Sequence, residues 1–382
     1  MKAIINASVV LENSMLYDGV ILVSDGKISA VGKAIDIEIP EGAEVIDACG
    51  AYVGPGFVDI HVHGGGGYNT YENPKAAAAH FLKHGATTIL ATPLYSQTFE
   101  ELIESFRLIR EEMKTNKSIK GIYSEGPYTN PDYGCNSHHN PWRGAIDMDK
   151  CKALVDAAGE DVLVWTVAPE REDLKAFLEY ARKVNPKVIF ALGHSEATPE
   201  QIREQMPFPY QPTILTHAMN ATGTIGESHG LRGRGPDEYC AKEDEMYAEL
   251  ISDSCAIHVK PDMQQMLLHN KGVGKVILIT DSTTFDGAPP ERYSHVTDLS
   301  FDDRGGIAGS RMTMDQACRN IMQNSACGIA QAFLMASTNP ARAVGLYDTL
   351  GSIAVGKNAD LVFTDDMFNI LKVMQEGELC VG

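Results

Sequence analysis

Residues 56–64 read GFVDIHVHG, and four further segments share their form: IKGIYSEGP at 119–127, KVIFALGHS at 187–195, PTILTHAMN at 212–220 and KVILITDS at 275–282. Each is a short apolar run that ends in His, Glu or Asp, here His61 and His63, Glu125, His194, His217 and Asp281. A further run, AELISDSCAIHV at 248–259, delivers His258. Polar residues scattered this widely meet in one place if the runs are parallel strands of one sheet. In a (β/α)8 barrel the strand ends converge on one face, where catalytic groups sit.

Working outward, strand candidates fall at 56–63, 87–94, 119–125, 161–168, 187–194, 212–219, 248–258 and 275–281, the eight that close a barrel. Helical patterns such as PKAAAAHFLKH, EELIESFRLIREEMK and REDLKAFLEYARKV alternate with them, which predicts βα units around a parallel sheet. Residues 2–53 alternate apolar and polar residues around short Gly-containing turns such as Asp25-Gly26, a hairpin pattern, and the tail after 346 returns to it. The expectation is an α/β protein: a (β/α)8 TIM-type barrel over 54–346, with a small β-sandwich built from both termini, 1–53 together with 347–382. The Gly-, Asp- and Pro-rich segment 283–310 predicts loops and a hairpin over the barrel mouth.

A net charge of −19 argues against a nucleic-acid partner, because phosphate backbones demand a basic face. It leaves room for a small anionic substrate, since a bound cation inverts the potential of one pocket. No run reaches the ~18 apolar residues of a membrane span, and Asn6, Glu12 and Asn13 interrupt the N-terminal stretch where a signal peptide would be apolar. The expected setting is cytoplasmic, with no membrane partner. Eight cysteines without a CxxC pair read as reduced thiols.

The chemistry is carried by the run ends. His61 and His63, at i and i+2 of a strand, point to the same side. A lone HxH also fits two ordinary polar strand residues, but here it opens into Gly64-Gly65-Gly66-Gly67 at a strand terminus, a context that favours a metal. Glu125 rounds off an apolar run before Gly126-Pro127. A structural ion pair would explain it, and a site partner that compensates its desolvation explains it better. With His194 and His217 it forms two imidazoles and a carboxylate, an open zinc set that leaves a position for water; each histidine taken singly also fits a core role. Asp281 suits a general base acting on water beside the cation, against the plainer reading of a helix cap. Nitrogen and oxygen donors of this kind suit zinc, and also iron, manganese or cobalt.

The motifs PGFVDIHVHG, SEGPYTN, HHNP, GHSEAT, THAMNA, TDST, IAGSRMTMDQA and NPARAVGL resemble the amidohydrolase superfamily and, within it, the N-acetylglucosamine-6-phosphate deacetylase family, over residues 1 to about 380. The resemblance implies Glu125, His194 and His217 as ligands of the principal metal. It implies His61 and His63 as the pair kept in two-metal members, hence one or two divalent cations per subunit, and Asp281 as the catalytic aspartate. His139 matches a histidine that contacts the sugar or the reacting group, and Asn220, the backbone at Ala221, and His258 match contacts to sugar and phosphate. Also implied are a small-molecule amino-sugar substrate and a homodimer.

One departure stands out. Where the family carries an arginine that reaches the substrate phosphate across a dimer interface, this chain has Glu227. Arg232, Arg234 and Lys260, the last expected on the same strand face as His258, are the candidate replacements. The reaction so implied is metal-dependent hydrolysis of the acetamide of an N-acetylhexosamine 6-phosphate. Alternatives are a deacetylase for the galactosamine epimer or an unphosphorylated sugar, another amidohydrolase such as a cyclic-amide or dipeptide hydrolase, and a catalytically inactive scaffold of the same fold.

Overall fold

The computed structural model describes residues 1–223 and 233–382. Eight parallel strands follow one another in chain order: β1 (Phe57–Val62), β2 (Ala86–Ala91), β3 (Ile119–Glu125), β4 (Val162–Val167), β5 (Ile189–Leu192), β6 (Ile214–Leu215), β7 (Tyr247–Ile251) and β8 (Val276–Ile279). Almost every residue in them is buried, as strands covered on both faces require. The ladder runs from β1 round to β8, and the two end strands meet through backbone bonds at the mouth. Asp281 donates its N–H to the His61 carbonyl at 3.0 Å, and His63 and Gly64 donate to the Ser282 carbonyl at 2.9 Å. Lower in the same seam the buried Asp59 carboxylate takes the Thr280 hydroxyl at 2.5 Å.

Helices Pro74–Lys83, Phe99–Met113, Met148–Ala158, Leu174–Val184, Pro199–Gln205, Pro236–Lys242, Pro261–Lys271 and Met314–Ser325 surround the strands. Their starts are written locally: Thr98 with Glu101 and Thr198 with Gln201 form reciprocal caps, and Asn73 accepts the Ala76 N–H. The helix Pro236–Lys242 lies in an acidic stretch that carries no helical pattern in sequence. Seven residues are too few to show a helical period. Its Asp237 carboxylate accepts the Met219 N–H at 2.8 Å and the Thr222 hydroxyl at 2.5 Å, so it braces the turn after β6. The hairpin expected within 283–310 is present as Leu299–Phe301 paired antiparallel with Ile307–Ser310.

Inside the barrel, Val58, Ile60, Leu90, Tyr123, Val164, Ile214, Ile277 and Ile279 form one packed cluster. Strands from both termini pair in a separate eight-stranded sheet, joined where Leu361–Thr364 runs antiparallel to Tyr52–Pro55. Its core draws on both ends of the chain, with Ile4, Val9, Ile21 and Val53 against Leu361, Phe363 and Met374. Among the described residues no helix is long and apolar enough to cross a membrane.

Sheet and barrel are joined by an aromatic cluster. Phe333 stacks against Phe57 of β1 at 5.5 Å between ring centroids and against Phe368 at 5.0 Å. Gly54 lies flat on the same ring, and a Cβ there would stand 2.2 Å from Phe333 Cε1. Gly54→Ala therefore overpacks this junction and is expected to lower stability by about 1–3 kcal/mol, and Phe333→Ala by about 3–5 kcal/mol through the cavity it leaves. Urea unfolding followed by circular dichroism measures both.

Candidate metal centre and active site

At the C-terminal ends of the strands two groups of donors face one another. Glu125, the last residue of β3, meets His194 and His217, each two residues beyond the end of β5 and β6. Its Oε1 lies 2.7 Å from His194 Nε2 and 2.9 Å from His217 Nε2, and the two imidazole nitrogens are 3.0 Å apart. The second group is His61, His63 and Asp281, with Asp281 Oδ1 at 3.7 Å from His61 Nε2 and 3.4 Å from His63 Nε2. The groups touch, since Glu125 Oε2 is 3.2 Å from His63 Nε2. All six side chains are buried or nearly so.

The backbone bends sharply to achieve this. His194, His217 and Asp281 adopt left-handed φ values of 46°, 30° and 46°, each costing about 1–3 kcal/mol for a non-glycine residue. Each bend is held: Asn130 donates to the His194 carbonyl at 2.9 Å, Glu249 accepts the His217 N–H at 3.1 Å, and Ser310 donates to the Asp281 carbonyl at 2.9 Å. Strain at strand ends is thus offset by neighbours that also set the side-chain directions.

Three of the four imidazoles are oriented from behind, whereas His194 Nδ1 is buried without a partner. His61 Nδ1 donates to Glu249 at 3.1 Å, His63 Nδ1 to the Thr92 carbonyl at 3.0 Å, and His217 Nδ1 to the Asn220 carbonyl at 3.1 Å. A proton held at Nδ1 leaves Nε2 with its lone pair facing the centre, the arrangement of metal-ligating histidines. His61 Nε2 is buried with no hydrogen-bond partner.

Electrostatics make the same demand. Burial alone would raise the Glu125 carboxyl, but the charge of His194 and hydrogen bonds from His194, His217 and His63 hold it well below the usual carboxylate range. Asp281 is likewise lowered against its burial, by the His63 hydrogen bond and the charges of His61, His63 and His217. In return His63 rises to about 10 despite burial, through Asp281 and Glu125, and His217 to about 9, chiefly through Glu125. The buried carboxylates draw positive charge into the site, and a divalent cation meets that demand while releasing the imidazole protons. Donors around a zinc-sized ion stand roughly 3.3 Å apart, close to the spacing observed, so the residues present fit such an ion.

Above the centre lies a cavity of about 350 Å³. Asn220, Ala221 and His258 line it, together with Tyr95, Cys135, Phe285, Asp302 and Ile307. His258 Nδ1 is anchored at 3.1 Å on Asp253, and its Nε2 is buried without a partner. Burial alone would push Asp253 up, but the His258 imidazole and the N–H groups of Ile257 and His258 hold it below its ordinary value.

The reading of the run 248–258 requires correction. The seventh strand stops at Ile251 rather than continuing to 258, because Asp253 captures the N–H groups of Cys255, Ile257 and His258 and curls the chain. Lys260 therefore shares no strand face with His258; it is exposed and precedes the helix Pro261–Lys271. Arg234 is an exposed partner of Glu200 at 3.3 Å, and it is not among the cavity-lining residues. His139 is exposed beside His138 and 3.5 Å from Asp303, outside the cavity lining. Arg232 and Glu227 lie outside the described residues.

Two site residues escaped the sequence reading. Glu249 sits in the apolar run of β7, the same signal that exposed Glu125. Tyr95 covers His194 with ring centroids 4.9 Å apart, and nothing distinguishes it in sequence beyond its place after β2.

The profile of the Amidohydrolase family matches residues 52–380. The chain is 25% identical to an N-acetylglucosamine-6-phosphate deacetylase of Bacillus subtilis, over 97% of this chain and 95% of that one. It is 27% identical to an N-acetylgalactosamine-6-phosphate deacetylase of Escherichia coli O157:H7, over 96% of each. Among solved structures, N-acetylglucosamine-6-phosphate deacetylase from Pasteurella multocida superposes with a TM-score of 0.85 at 25% identity, covering 100% of both chains. The Mycobacterium smegmatis enzyme of that name gives 0.80 at 28%, again over 100% of both. Fold, donor set and family profile agree, and the chain belongs to the amidohydrolase family, hydrolases of carbon–nitrogen bonds.

Proposed function

We propose that the protein hydrolyses the acetamide of an N-acetylhexosamine 6-phosphate, N-acetylglucosamine 6-phosphate foremost, to acetate and the amino sugar phosphate. The observation that carries this reading is the convergence of Glu125, His194 and His217, with Asp281 alongside, on the floor of a cavity sized for one sugar. The names of its relatives, deacetylases of two epimeric sugar phosphates, support it.

Glu125, His194 and His217 would hold the principal divalent cation, and His61 and His63 with Asp281 a second. When bound, the cation polarises the acyl carbonyl and makes water a competent nucleophile near neutral pH. Asp281, kept ionised by the surrounding imidazoles, accepts the proton of the attacking water and returns it to the leaving nitrogen. The oxygen of that water ends in acetate, and the carbon–nitrogen pair of electrons leaves with the amine. His258, fixed through Asp253, presents Nε2 to the sugar or its phosphate, and Asn220 and the backbone at Ala221 complete that wall. His139 has no assigned part, because it stands outside the cavity.

We take the cation to be zinc, with iron, manganese and cobalt as the other ions such donors accept, and the protein to be a cytoplasmic homodimer acting on a small molecule. A second reading, an N-acyl amino sugar of another epimer or without phosphate, is favoured by one observation. Among the described residues that line the cavity there is no lysine or arginine.

Acetate release from a panel of N-acetylhexosamines, each with and without a 6-phosphate and with added divalent metal, tests the proposal. The expected result is turnover of N-acetylglucosamine 6-phosphate at least tenfold faster than of the unphosphorylated sugar. Equal rates transfer support to the second reading, and no acetate from any member overturns both. Glu125→Gln is expected to lose the principal cation, read by elemental analysis of purified protein; full metal content would remove its ligand role. For Asp281→Asn the expectation is a loss of kcat by about 10²–10⁴ with the Glu125–His194–His217 cation retained, and near-normal turnover would exclude the proton-transfer assignment.

A further inference from the structure

The carboxylate of Glu249 takes no part in the steps above, yet it is fully buried beneath both ligand groups. An ionised carboxylate in that position is costly unless something compensates it. Its Oε2 accepts from His61 Nδ1 at 3.1 Å and from the backbone N–H of His217 at 3.1 Å, so one oxygen touches a member of each group. Its Oε1 is buried with no partner. The His61 ring is clamped on its flat face as well, stacked on Tyr123 at 4.6 Å between centroids. The Tyr123 hydroxyl is itself held by Thr216 at 2.8 Å and Thr166 at 3.2 Å.

These contacts leave His61 one orientation. The proton sits on Nδ1 and Nε2 faces Glu125 Oε1 and Asp281 Oδ1, each 3.7 Å away. His217 differs, because its own Nδ1 is served by the Asn220 carbonyl at 3.1 Å. Loss of Glu249 thus deprives His61 of its only support behind the ring, whereas His217 loses one backbone acceptor and keeps the Asn220 carbonyl that orients its ring.

We propose that Glu249 is a positioning residue whose carboxylate decides whether the His61–His63–Asp281 group retains a cation. The inference rests on the metal-dependent reading above. Partners behind a ligating histidine typically change metal affinity by about 10–100-fold, and here the effect is selective for one of two subsites.

The test is titration of the metal-stripped full-length protein with Co²⁺, followed by visible absorption and by elemental analysis per chain, for wild type, Glu249→Gln and Glu249→Ala. Wild type is expected to bind two ions. Glu249→Ala should weaken one binding step by about 10–100-fold and leave the other within about threefold. Glu249→Gln, which keeps an oxygen acceptor for Nδ1 without the charge, should fall between and serves as the measurement should the alanine variant not fold. Unchanged affinities, both steps weakened in parallel, or a wild type that binds a single ion each overturn the inference. A wild type that binds no ion overturns the metal-dependent reading itself.

Discussion

One carboxylate oxygen organises the mouth of this barrel. Glu125 Oε1 is shared by His194 and His217, and the opposite oxygen reaches His63, so imidazoles from three other strand ends are drawn to one buried charge. A bare carboxylate there would be expelled or protonated. It persists because the surrounding imidazoles supply positive charge, a demand that a divalent cation would also meet. The left-handed bends at His194 and His217 are tolerated for the same reason, since relaxing them would pull the imidazoles away from that charge.

The remainder of the fold supplies rigidity to that arrangement. The seam between the first and last strands is closed at the height of the site by the Asp281 and His63 backbone bonds, so closing the barrel and aligning His61 with Asp281 are one event. Further from the site, the Phe57–Phe333–Phe368 cluster fixes the first strand against the terminal sheet. The terminal sheet thereby acts as a clamp on the strand that carries both histidines of the HxH pair.

Much of this is visible in one dimension because buried charge is conspicuous. A strand covered on both faces is a continuous apolar run, so His61, Glu125, His194, His217 and Asp281 stand out as polar residues where the run ends. Glu249 is less conspicuous, because it lies inside the run AELISDSCAIHV rather than at its end. Failures had the same local origin. Lys260 lost its assigned face because Asp253 ends the strand by bonding backbone N–H groups, and a side chain that competes with a ladder leaves no periodic trace.

Apolar periodicity and the polar residues that terminate it were enough to specify the eight-strand barrel and the terminal sheet, because those features depend on burial, and burial is written residue by residue. Tertiary structure alone decided which nitrogen of each imidazole faces the centre, which side chains reach the cavity, and which carboxylate stands behind the ligands. Those depend on bonds between residues as far apart as His61 and Glu249. No local pattern encodes such a bond, because its energy exists only when the barrel has closed.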